Sequence, residues 1–338
     1  MVTLKDIAEM ANVSIATVSY VINGRSDKVS DKTVKRIERI IQETKYSPSM
    51  SARTLANKSS NIIGIINHAV SSKAGSFIMD PFHSSFISGM EQIIRESGYF
   101  MMLRTVEDPT TLKALIANWR LEGMILTGLF QDEFYSELSA TGIPFVLIDS
   151  YINDPNVYNV GLEDCNGAYL ATRHLLENGH RSIAFACPTI KQHGVVEQRL
   201  MGYQRALGEF GVAYDADKVF VQEITIENGI QLGEKLSERQ DITGIFASAD
   251  ILAAGIMAGL KNRNVSVPHD KSIVGFDDVF FSLLTSPKLT TIHQDADKKG
   301  LIAAELILDR LMGCEMEDKQ IILPVSLVER ESVKNLNA

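Results

Sequence analysis

The stretch VTLKDIAEMANVSIATVSYVING, from Val2 to Gly24, decides how the rest of the 338-residue chain is read. Leu4, Ile7, Ala8 and Ala11 recur at helical spacing, as do Val18 and Ile22, which predicts two short helices. Thr3 is placed to cap the first, over Leu4–Ala11, and Asp6, three residues on, to complete a capping box. Asn12-Val13 makes the turn. Ser14 caps the second helix, which Asn23-Gly24 stops. Helices this short do not persist alone in water, so they must pack on each other and on a third. The pair is either a helix-turn-helix reader of DNA or an ordinary helical hairpin at a domain edge.

Charge favours the first reading. The whole chain carries a net charge of -9, which by itself argues against nucleic acid. Residues 1–60, however, hold ten Lys/Arg against six acids, so a head of +4 sits on a body of -13. That asymmetry directs phosphate contact to one end. Ser30 is expected to cap a third helix over residues 31–44, with Val34, Ile37, Ile40 and Ile41 as its apolar stripe. Lys32, Lys35, Arg36 and Arg39 fall on its other faces. Pro48 ends that helix. SMSARTLANKSSN, residues 49–61, has the composition of a linker, yet Ser49 could cap a short helix over Met50–Ala56 that orders only on DNA.

From Asn61 onward, apolar strand-like runs alternate with helical patterns. NIIGII, YFMML, GMIL and PFVLI form one group of four, and SIAFA, VFVQE, GIFAS and SIVGF a second. Strand–helix alternation predicts parallel sheets, and two groups suit two similar α/β subdomains better than one sheet. No apolar run approaches ~18 residues and no signal-peptide pattern opens the chain, so a cytoplasmic protein without membrane contact is expected. Cys165, Cys187 and Cys314 lack any CxxC spacing and read as reduced core thiols. No phosphate-binding glycine loop, GxSxG or HxxxH motif is present, and no catalytic group, cofactor or metal site is expected. His174 and His180, in RHLLENGH, read as structural.

The opening stretch, YSPSMSARTLA and NIIGII resemble the start of the lactose-repressor/purine-repressor (LacI/GalR) family. GAYLATRHLLENGHRSIAFA, RLMGYQRAL, VGFDDVFFSLLTSPKLTTIHQ and LVERESV extend the resemblance over nearly the whole chain. It implies an all-α helix-turn-helix headpiece (1–46), a hinge helix and linker (47–60), and an α/β effector core of two Rossmann-like, periplasmic-binding-protein-like subdomains (61–338). The subdomains would comprise about 61–160 with 293–321, and about 161–290 with 322–338, with chain crossings near 160, 290 and 322. The DNA-facing set would be Thr3, Ser14, Ile15, Ala16, Thr17, Ser19, Tyr20, Asn23, Ser49, Arg53 and Leu55. In the family the hinge Leu wedges into the minor groove of a paired site, and here that residue is Leu55. Ile15 and Ala16 could read bases only by apolar contact, and Tyr20 departs from the basic residues that other members carry there.

The ligand-facing set implied by the resemblance is Phe82, Asp149, Arg199, Phe246 and Asp277. Arg199 and Asp277 suit vicinal hydroxyls or a purine edge, or else form a structural ion pair. Phe246 is either an aromatic wall or strand core. Ala249 stands where a sugar-binding member carries Asn, and HGVVEQ before Arg199 lacks the second Arg of purine-binding members. The long stretch HAVSSKAGSFIMDPFHSS, residues 68–85, carries His68, Lys73, Asp80 and His83. The expected function is a ligand-responsive transcriptional repressor: a homodimer on a roughly palindromic double-stranded operator, with a carbohydrate-like effector and allosteric coupling. The alternatives are a solute-binding transport protein or an α/β enzyme. The first lacks an export signal and has no use for residues 1–60; the second lacks a site.

Overall fold

The computed structural model describes residues 2–22, 24–25, 28–46, 59–68, 77–314 and 316–337. The expected hinge helix, with Ser49, Arg53 and Leu55, lies outside the described residues, as do Asn23 and Lys73. The chain divides into two compact units at Asn61/Ile62.

In the first unit α1 (Leu4–Ala11), α2 (Ile15–Ile22) and α3 (Asp31–Thr44) enclose a small core of Ile7, Ala8, Ala11, Val18 and Ile37. The capping box forms as expected: the Asp6 amide donates to Thr3 Oγ1, and Asp6 Oδ2 accepts from the Thr3 amide at 2.7 Å. Asn12 adopts φ +49° at the turn. Ser14 Oγ accepts from the Thr17 amide at 3.1 Å. Ser30 does not cap α3 with its side chain; its hydroxyl pairs with that of Thr33 at 2.9 Å instead.

Among the described residues the second unit holds two six-stranded sheets rather than two groups of four. The first contains β1 (Ile62–His68), β2 (Phe100–Val106), β3 (Gly123–Thr127), β4 (Phe145–Ile148), β5 (Tyr158–Leu162) and β11 (Gln320–Leu323), in the order β11-β5-β4-β3-β1-β2, all parallel. The second contains β6 (Ile183–Cys187), β7 (Val219–Val221), β8 (Gly244–Ala247), β9 (Ser272–Asp277), β10 (Thr290–His293) and β12 (Ser326–Val328), in the order β12-β10-β9-β8-β6-β7. Only β12 is antiparallel to its neighbour. The four strands beyond the sequence reading are β5, β10, β11 and β12. In β5 and β10 polar residues such as Asn159, Thr290 and Thr291 interrupt the apolar pattern, and β11 and β12 are four and three residues long, separated by Pro324-Val325.

The helices follow in order: α4 (Pro81–Glu96), α5 (Pro109–Trp119), α6 (Glu133–Ala140), α7 (Asp164–Glu177), α8 (Val195–Glu209), α9 (Ile226–Ser237), α10 (Asp250–Asn262), α11 (Phe281–Leu284) and α12 (Ala296–Leu311). Helices α9 and α10 approach closely enough that a Cβ on Gly259 would lie 2.1 Å from the Ile230 carbonyl oxygen. The chain passes between sheets three times, at 162–164, 293–296 and 323–326, so β10 keeps residues up to 293 with the second sheet. Cys187 is buried in β6 and Cys165 half-buried, but Cys314 is exposed in the turn after α12, not in a core. No helix among the described residues is long and apolar enough to cross a membrane.

Candidate functional site: a DNA-reading head and a two-lobed cleft

On α2, Val18 faces the core, fully buried, while Ile15 is half exposed and Ala16 exposed. At 3.6 residues per turn, Ile15, Ala16, Ser19 and Tyr20 share one side of the helix, away from Val18 and Val21. That side is free of the head's own core. Thr17 is engaged locally: its hydroxyl lies 2.9 Å from Ser14 Oγ. Tyr20 is half-buried, with Lys28 Nζ 5.5 Å from its ring centroid, so an ammonium accompanies the one aromatic on that side of the helix. Lys32, Lys35, Arg36 and Arg39 are exposed on α3, as phosphate contacts require.

The second unit's cleft lies at the C-terminal ends of the parallel strands of both sheets, where open α/β sheets present loops and helix N-termini. Asp149, just after β4, adopts φ +51° and accepts two hydrogen bonds from Lys299 Nζ, each 2.8 Å. Lys299 is fully buried; it also donates to Gln294 Oε1 at 2.9 Å and lies 5.2 Å from the Phe82 ring centroid. Gln294, at a crossing, passes the chain of bonds on: its Nε2 donates to Asp277 Oδ1 at 2.6 Å. Asp149, Phe82 and Asp277 are thereby brought together through Lys299 and Gln294.

Arg199 on α8 is buried in a second cluster. Its Nε donates to Asp164 Oδ1 at 2.9 Å, its Nη1 donates to the Ser248 carbonyl, and its guanidinium lies 3.6 Å above the Phe276 ring centroid. Tyr151 Oη donates to the other Asp164 oxygen at 2.7 Å. The structural ion pair of Arg199 is thus with Asp164, not with Asp277. Arg199 still has guanidinium donors beyond the two these partners engage. Burial pushes the Asp277 carboxyl up to about 7, against the opposing field of Arg199 and with that of Asp80. Burial likewise raises Asp164 and Asp250, and the Asp250 carboxyl ties the 277–280 loop down by accepting from Thr291 Oγ1 and the Val279 amide.

Phe246 does not form an aromatic wall. It is fully buried in β8 and stacks on Phe185 at 5.1 Å, inside the second sheet's core. Phe276 and Phe82 are the rings beside the charged groups. Beside the 293–296 crossing, a cavity of about 300 Å³ is lined by Pro81, Ser85, Asp277, Asp278, His293 and Gln294, among others. His174 and His180 are buried away from it; His180 bonds to Thr243 Oγ1 and the Lys334 carbonyl. Among the described residues no group of three His, Cys, Asp or Glu is arranged to hold a metal ion.

Lys299, Asp164, Tyr151 and Gln294 escaped sequence reasoning. One signal did exist. Ala296, Lys299, Gly300, Ala303, Ala304 and Ile307 form a single i, i+3, i+4, i+7 face of α12, all buried, so Lys299 falls at a core position. Asp164 opens the corresponding face of α7, with Gly167, Ala168 and Ala171.

Residues 3–49 match the bacterial regulatory proteins of the lacI family, and residues 172–333 the periplasmic binding protein-like domain. The ribose operon repressor of Haemophilus influenzae is 30% identical over 99% of this chain and 100% of its own length. The chain belongs to the lacI family. It is a DNA-binding transcriptional regulator, built as a helix-turn-helix head and a two-subdomain α/β core. Among solved structures it is similar to the lac repressor dimer bound to operator and the anti-inducer ONPF, with 26% identity and a TM-score of 0.82 over 98% of this chain and 99% of that one. A second, the transcriptional regulator CelR–cellobiose complex, has 28% identity and a TM-score of 0.73 over 98% and 100%.

Proposed function

We propose that this lacI-family regulator is a cytoplasmic, non-enzymatic repressor that binds a roughly palindromic operator as a homodimer and takes a carbohydrate-like effector in the cleft of its core. The observation that carries the effector reading is the set of donors and acceptors at the strand ends: the Arg199 guanidinium, the Asp277 carboxyl with one amide partner, and the Asp149–Lys299 pair. Such groups match the paired donor and acceptor of vicinal hydroxyls. The similarity to a repressor named for the ribose operon and to a regulator in complex with cellobiose supports the same class. Residues 1–46 then read the operator, 47–60 form the hinge, and 61–338 bind effector and partner subunit. On α2, Ile15, Ala16 and Tyr20 face bases, while Thr3, Ser14, Thr17, Ser19 and Asn23 position the head; Ser49 and Arg53 support the hinge.

Thermal shift of the full chain against ribose, maltose, cellobiose, adenine and guanine tests the effector class. A carbohydrate present at a hundred times its Kd stabilises by about 2.7 kcal/mol, a shift of several degrees. Selection from a random duplex library with the same protein should return a palindromic sequence, released or tightened by that carbohydrate. A shift produced by a purine base alone would overturn the effector reading.

The Leu55→Ala protein should bind its selected operator about ten- to a hundredfold more weakly, the worth of one buried Leu contact. It should bend the DNA less and keep the effector-induced thermal shift. An unchanged bend angle would remove Leu55 from the wedge role.

A further inference from the structure

Phe130 stands in the loop that follows β3, in the first lobe. Residues 188–194 form the loop that follows β6 in the second lobe and leads into α8. The two loops meet across the cleft. Lys191 Nζ lies 4.5 Å from the centroid of the Phe130 ring. Gly194, the N-cap of α8, is buried, and a Cβ built on it would lie 2.8 Å from Phe130 Cε1. Gly194 has φ -131°, an extended backbone that any residue adopts. Its own conformation therefore does not call for glycine; the closest atom a Cβ would meet belongs to the ring from the opposite lobe, with the Lys191 carbonyl oxygen next at 3.2 Å.

The position of this contact gives it leverage. The chain crosses between lobes beside β5, β10, β11 and β12, at one edge of each sheet. In the sheet orders, β3 lies two strands from β5 and β6 lies three from β10. At about 4.8 Å per strand the contact sits roughly 10–14 Å from the crossings. Rotation of the lobes about the crossings must therefore separate Phe130 from Gly194 and Lys191. The polar chains through Gln294 and Tyr151, by contrast, lie at or near the crossings, where the same rotation displaces atoms least.

We propose that Phe130 is a clasp: its ring seats in the notch left by Gly194, under the Lys191 ammonium, and this contact sets how much of the protein has its cleft closed. The inference concerns movement of the lobes and holds whatever the effector is. Opening breaks one aromatic–backbone contact and one cation–π contact, so removing the ring shifts the closed–open balance by about three- to tenfold.

Hydrogen exchange of the full chain without ligand tests this. Phe130→Ala should raise exchange about three- to tenfold at amides of both 128–132 and 190–195, and Lys191→Met by a smaller factor at the same two loops. Gly194→Ala, whose new methyl would displace the ring, should raise exchange in 128–132, although no residue of that loop is altered. Effects confined to the mutated loop, for either Phe130→Ala or Gly194→Ala, would overturn the clasp. If Gly194→Ala does not fold, the response of 190–195 to Phe130→Ala decides alone.

Discussion

Replacing Arg199 by Ala should cost the core about 3–5 kcal/mol and abolish the effector response together. The stability loss follows from what the guanidinium leaves behind. Asp164 is 1% exposed, and without Arg199 its carboxylate keeps only the Tyr151 hydroxyl. Breaking a buried ion pair by removing one partner carries about that cost, because the remaining charge is uncompensated. At about 2–4 °C per kcal/mol for a unit of this size, the melting temperature falls by roughly 10 °C. The loss of response needs separating from the loss of stability. Arg199→Met combined with Asp164→Leu removes both charges and should recover most of the stability, since apolar replacements of buried pairs are often neutral or better. That double variant should remain unresponsive to effector. A double variant that responds would assign Arg199 to support of the fold alone.

Asp277→Asn has the second large effect, and its sign depends on pH. The folded-state carboxyl titrates near 7, above the ordinary carboxylate value of 3.8. Between those values the folded protein holds a proton that the unfolded chain has released, so stability falls as pH rises through that window. Below it both states are protonated and the group contributes nothing; above it the full penalty is present. Asn mimics the protonated carboxyl. The variant should match the parent near pH 4 and exceed it by roughly 2–4 kcal/mol at pH 8, while losing effector binding at both. Melting curves from pH 4 to 8 check it; parallel profiles for the two proteins would refute the assignment. Such a profile would mark Asp277, whose carboxyl lines the cavity beside the 293–296 crossing, as a functional compromise.

Much of this was legible in the chain itself. Ser30 makes no side-chain cap for the third helix, but the first announces its boundaries through Thr3, Asp6 and Asn12, and the second its start through Ser14, residues whose chemistry is local and readable at a glance. The apolar runs mark eight strands for the same reason. Of the remaining four, β5 and β10 defeat pattern reading because their polar residues are buried for partners distant in sequence, and β11 and β12 because they are too short to carry a pattern. Asn159 in β5 accepts from the Ser150 amide, and Thr291 in β10 donates to Asp250. The cleft shows the same division. Resemblance singles out Arg199, Asp277 and Asp149, whereas Lys299 looks like a solvated lysine until the sheet brings Asp149 to it across 150 residues of chain. Phe246 misled because its place in IFASAD says nothing of which face of β8 it occupies.

The three crossings also govern the order in which the protein can be completed during synthesis. Strand β11 pairs with β5 in the first sheet, yet the whole second sheet except β12 is made between them. Until β11 emerges, β5 presents an unpaired edge while β6 to β10 are still being threaded out. A nascent chain of this topology has no point at which one lobe is finished and the other not begun. Its late, exposed edge is where mispairing with a neighbouring chain would start, and a slow stretch of translation before residue 320 would lengthen that exposure.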